Sequence, residues 1–74
     1  MPGLRARSFI GRFARLLREV RTKGGEMFAV GERLECVSAM RGRRRGHSRF
    51  GFQDPKTPSR YVSGVEADNI LWVD

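Results

Sequence analysis

The sequence predicts an α+β chain, mostly β: an N-terminal amphipathic helix followed by a small barrel of four to five short antiparallel strands. Three observations predict it. Apolar residues recur at helical spacing up to Val20, and from Phe28 onward at strand spacing. Clusters of turn-forming residues (Gly24-Gly25, the Arg/Gly segment 41–47 and 54–59) divide the chain at short intervals. The chain has 74 residues, enough for one small domain with a thin core, since a domain of this size buries only about 60% of its unfolded surface. The division falls at Gly25: residues 1–25 form a basic amphipathic helix and a Gly-Gly linker, residues 26–74 the barrel.

Residues 1–7 contain Pro and Gly and read as a lead-in. Ser8 is placed to cap a helix from about Phe9 to about Thr22. Phe9, Phe13, Leu16, Leu17 and Val20 fall at i, i+4, i+7, i+8 and i+11, within roughly 100° of one helical face. They form the expected packing face, against the barrel or a partner. Arg7, Arg12, Arg15, Arg18 and Arg21 occupy the opposite arc. Gly24-Gly25 supplies the stop, because glycine adopts the left-handed conformation without a Cβ clash.

Beyond the glycines, Phe28 and Val30 lead to Gly31. Leu34 and Cys36 alternate with Arg33, Glu35 and Val37, which predicts a strand over about 32–40. The segment 41–47 is a loop. Phe50 and Phe52 alternate with Arg49, Gly51 and Gln53 as a second strand, with a bend or bulge at Gly51. Residues 54–59 are a turn by composition, and 60–65 is a third strand. A short connection over 66–69, one helical turn at most, leads to a last strand over 70–73. Ile70 and Trp72 point one way and Leu71 and Val73 the other, so this strand is expected to be covered on both faces. The outer cover would be the helix stripe or a second subunit.

Two stretches carry a resemblance. Phe28-Ala29-Val30-Gly31-Glu32-Arg33-Leu34-Glu35-Cys36-Val37 resembles the opening strand of SH3-like small barrels, and Tyr61–Val65 followed by Ile70–Val73 resembles their closing pair of strands. The resemblance covers about residues 27–74. It implies an SH3-like module, a group whose members bind RNA, DNA or ribosomes, bind peptides, or only assemble. The acidic loop cluster and paired aromatics of peptide-binding SH3 domains are not evident.

Charge narrows the function. Lys and Arg number 15 against 8 Asp and Glu, a net charge of +7, and only Lys23 and Lys56 are lysines. Residues 1–25 hold seven of the cations against one acid, while 26–74 are near balance. Arg41, Arg43, Arg44, Arg45 and Arg49 crowd into nine positions, with His47 among them. Guanidinium groups bind phosphate bidentately and stack on bases, so these six residues are the candidate nucleic-acid site. Phe50 and Tyr61 could stack on unpaired bases if either faces out. Arg12, Arg15 and Arg18 form a possible second basic surface.

Other chemistry lacks its residues. The chain has one His and one Cys, without metal-ligand spacing. Cys36 alternates with Leu34 and is expected inside, and a single Cys suits a reducing compartment such as the cytoplasm. No nucleophile, base and orienting acid are grouped, and the acids are scattered as turn, cap and solvated-face residues. The reading is a non-enzymatic module without cofactor or metal, with no membrane partner expected although the basic helix also fits an interfacial membrane helix, contacting RNA or DNA backbone through the Arg-rich loop. The alternative is a protein-interaction or assembly module that docks on an acidic protein surface or forms a homo-oligomer.

Overall fold

A computed structural model of the chain describes residues 6–42 and 48–73, with side chains from Ser8 onward. A 3-10 turn (Ala6–Phe9) precedes strands β1 (Phe13–Leu16), β2 (Val20–Arg21), β3 (Met27–Phe28), β4 (Arg33–Met40), β5 (Arg49–Gln53) and β6 (Tyr61–Glu66); a second 3-10 turn (Ala67–Asn69) leads into β7 (Ile70–Trp72). Five strands form one antiparallel sheet in the order β6-β5-β4-β1-β7, and β2 and β3 form a separate hairpin.

The expected N-terminal helix is not present. Its residues form a 3-10 turn, β1, a bend and β2. A helix of this length is marginal on its own in water, and here the same backbone finds partners on both sides. β1 lies between β4 and β7, with Ala14 opposite Leu34 and Trp72, and Leu16 opposite Ile70. The pairing extends past the strand ends: the amide of Gly11 donates to Cys36 O, that of Cys36 to Arg12 O, and that of Leu17 to Asn69 O, each at 2.8 Å.

The change of period re-sorts the predicted packing face. Phe9, Leu16 and Val20 do pack on the core. Phe13 and Leu17 share strand parity with Arg15 and lie on the outer face, Leu17 half-exposed. Ala14, absent from the helical stripe, is buried. Gly25, expected to end the helix, instead turns the β2–β3 hairpin with φ of +90°.

The closed barrel is also corrected. β6 and β7 end the sheet on opposite sides and do not border each other, so the sheet is open. β7 has three residues, and β2 and β3 have two each. These leave too little backbone to close the ladder. The outer face of β7 keeps Leu71 and Val73 exposed; the cover expected there is missing among the described residues.

The core lies on the other face. Phe28, Leu34, Cys36 and Phe52 are fully buried with Leu16, Phe50, Val62, Val65 and Ile70. Phe9 stacks on Trp72 at 4.5 Å between centroids, and both rings meet Phe50 edge-on. The Cys36 Sγ donates to Ser38 O at 3.3 Å, and burial pushes this thiol up from its ordinary value.

The irregularity expected at Gly51 is present, but the extra residues belong to its neighbours. Val37 bulges from β4, and Ser63-Gly64, with Gly64 at φ +75°, bulge from β6. A Cβ at Gly51 would run into Ser38 Oγ and stand 2.8 Å from the Tyr61 hydroxyl. Glycine lets those two side chains close over the strand.

Arg60 ties the β2–β3 hairpin to the turn before β6. Its guanidinium donates to Glu32 Oε1 at 2.6 Å, Asp54 Oδ2 at 2.8 Å and Met27 O at 2.9 Å, and lies over the Phe28 ring at 4.5 Å. Glu26 stands 3.5 Å away. The acids that look scattered in sequence thus converge on one cation. Asp54 is held below its ordinary value of 3.8, first by the backbone amide of Lys56 and then by Arg60.

A depressed carboxylate stabilises the fold above its ordinary value, and that contribution is lost as pH falls through the folded-state value. Asp54→Asn should therefore be less stable than the parent near neutrality, and the deficit should shrink towards zero in acid. Urea unfolding at a series of pH values checks this; a deficit unchanged from about pH 7 to about pH 2 would contradict it.

Candidate nucleic-acid interface

The Arg-rich segment connects β4 to β5. Met40 and Arg49 are the last paired residues of the two strands, so residues 41–48 form the connection. Alternation carries Leu34 and Cys36 inward along β4, and it keeps Phe50 and Phe52 inward along β5. The strands are therefore anchored by their apolar faces. Ser48 O accepts the Ala67 amide at 3.2 Å, which fixes the start of β5 against the second 3-10 turn.

Arg41 and Arg49 are exposed, and neither has an ion pair among the described residues. Glu66 is the Cα partner of Arg49 across β6. Arg43, Arg44, Arg45 and His47 lie outside the described residues. Of the two candidate stacking aromatics, Phe50 is buried at 3% exposure and offers no face to solvent. Tyr61 is 43% exposed, with its hydroxyl 3.5 Å from Ser38 Oγ.

The second basic surface does not assemble as expected. Arg12 and Arg15 have opposite strand parity. Arg12 reaches the Phe9 and Trp72 rings, at 5.2 and 5.8 Å. Arg15 lies on the outer face and donates to Gly31 O at 2.8 Å. Arg18 is exposed in the bend after β1. The helical spacing that would have aligned the three is gone with the helix.

Sequence reasoning missed Arg33. It sits directly opposite Arg15 across β1 and β4, its guanidinium 3.9 Å from the centroid of the Phe13 ring. No local signal could have found this pair, because it depends on the register between strands far apart in sequence.

Among the described residues no group of three or more His, Cys, Asp or Glu could hold a metal ion, and no helix is long and apolar enough to cross a membrane. No protein-family model, curated protein or solved structure matches the chain.

Proposed function

We propose that the protein is a non-enzymatic module that contacts RNA or DNA through backbone phosphates, using the connection between β4 and β5. The observation that carries this reading is the charge of that connection. Five arginines and no acid fall between Arg41 and Arg49, and the two described members are exposed, with no ion pair among the described residues. Elsewhere the fold does neutralise arginine: Arg60 gathers Glu26, Glu32 and Asp54, and Arg21 meets Glu19 at 2.8 Å. Like charges crowded on one hairpin repel one another, and a polyanion relieves that repulsion while releasing counterions. Contacts of this kind position a module on the backbone and carry little sequence information.

The test is a titration with single-stranded and duplex oligonucleotides at several salt concentrations. Five phosphate contacts predict a slope of log K against log salt of about −3.5 to −4.5. Replacing Arg43, Arg44 and Arg45 together by Glu should abolish most binding while thermal unfolding stays cooperative. Affinity independent of salt, or unchanged in the triple variant, would refute the reading.

A further inference from the structure

Tyr61 narrows the class of nucleic acid. It pairs with Gln53 at the start of β6, on the outer face of the sheet, and is 43% exposed. Its side chain reaches back past β5 to Ser38 on β4, where the two hydroxyl oxygens stand 3.5 Å apart. Strands are about 4.8 Å apart, and side chains ordinarily stand upright from a sheet. A ring that bridges to the second strand along must lie along the sheet instead.

Gly51 makes room for this ring. A Cβ there would stand 2.8 Å from the Tyr61 hydroxyl and 3.3 Å from its Cε1. Gly51 has no positive φ, so its backbone conformation does not require glycine. Glycine weakens a strand interior and often marks a close approach. What it admits here is the Tyr61 ring together with Ser38 Oγ.

The surroundings of the ring suit a base better than a phosphate. Tyr61, Gln53 and Glu35 form one row across β6, β5 and β4, with Gln53 Nε2 donating to Glu35 Oε1 at 3.4 Å. That row holds an acid and no cation, so it offers a polyanion ring surface rather than charge. Arg49 lies on the same face, about 13 Å along β5 from Gln53 at about 3.3 Å per residue. It stands opposite Glu66 and has no ion pair among the described residues. In a duplex the base faces are covered by their neighbours in the stack, and opening a step takes a wedge that projects from the protein. A ring laid along the sheet does not project. An unpaired base has a free face for it.

We propose that Tyr61 stacks on an unpaired base, so that the ligand of this module is single-stranded RNA or DNA. This rests on the phosphate-binding reading and adds an uncharged contact to it.

The probes are three fluorescein-labelled oligonucleotides with equal numbers of phosphates per strand: a single strand, its duplex, and an abasic single strand. Fluorescence polarisation at several salt concentrations gives each affinity. The wild type should bind the intact single strand about fivefold to a hundredfold tighter than the abasic one, the range expected for one stacked base. Tyr61→Ala should lose that preference and leave the salt slope unchanged, because stacking releases no counterions. Its affinity for duplex should change less than about twofold, and Tyr61→Phe, which keeps the ring, should stay within about twofold of the wild type on all three probes. Thermal unfolding verifies each variant, and the intact-against-abasic comparison in the wild type decides even if Tyr61→Ala unfolds. Salt-dependent binding that is equal for the intact and abasic strands overturns this proposal and leaves the phosphate reading standing. So does a folded Tyr61→Ala that keeps its full preference for the intact strand, or one that loses duplex affinity equally. Absence of binding to all three probes overturns both.

Discussion

Deleting residues 1–22 should leave a chain without a cooperative unfolding transition. β1 is an interior strand, and its removal strips β4 and β7 of their shared partner at once. Phe9, Ala14, Leu16 and Val20 leave the core, and Trp72 loses the ring stacked on it. What remains is β4, β5 and β6, a hairpin strand without its mate, and a three-residue strand with no ladder partner. Thermal melting by circular dichroism, together with binding of a hydrophobic dye, measures the outcome. Cooperative melting at the parent's temperature would show that β1 is dispensable.

A pair of point substitutions isolates the conformation itself. Ala14→Asp places an unpaired carboxylate in the core and should prevent folding. Arg15→Asp, one residue on, faces solvent opposite Arg33 and should fold. In a helix over 9–22 both positions would lie off the apolar stripe, and both variants would be tolerated.

Phe52→Ala should lower the unfolding free energy by about 3–5 kcal/mol. Phe52 is fully buried on β5, its ring 6.4 Å from that of Phe50 and 5.9 Å from that of Trp72. β5 is hydrogen-bonded on both sides, so the surrounding backbone cannot easily collapse into the space vacated. A chain of this length is expected to hold about 4–11 kcal/mol in all. The substitution therefore consumes a large part of the total, and the variant should be partly unfolded at 37 °C. Phe13→Ala provides the contrast. Phe13 lies on the outer face beneath Arg33, so its loss should cost under about 1 kcal/mol. Urea titrations of the two variants decide the order; a larger effect at Phe13 would contradict the assignment of faces.

Much of the second half of the chain was legible. The expected strands over 32–40, 49–53, 60–65 and 70–73 match β4 to β7 within about a residue, and the connection at 66–69 holds a single 3-10 turn. There, apolar residues recur at strand spacing, and Gly, Pro and Asp mark the ends. Both signals are local. The candidate site is split in the same way. That Arg41 and Arg49 are exposed follows from the alternation beside them. The Arg15–Arg33 opposition and the gathering of three acids around Arg60 do not follow from anything nearby in the chain.

The N-terminal segment shows where local reading ends. Phe9, Leu16 and Val20 satisfy a helical stripe and also the inward positions of the observed fold. Only Phe13, Ala14 and Leu17 distinguish the two, and propensity does not separate them. The sequence by itself determined the small size, the Arg-dominated charge, the turn positions and the period of each strand beyond Gly31. The tertiary structure alone decided that residues 13–16 are a strand, that the sheet stays open, and which side chains share a face. The physical reason is that period is set by side chains a few residues apart, whereas β1 is stabilised by hydrogen bonds and packing to strands remote in sequence.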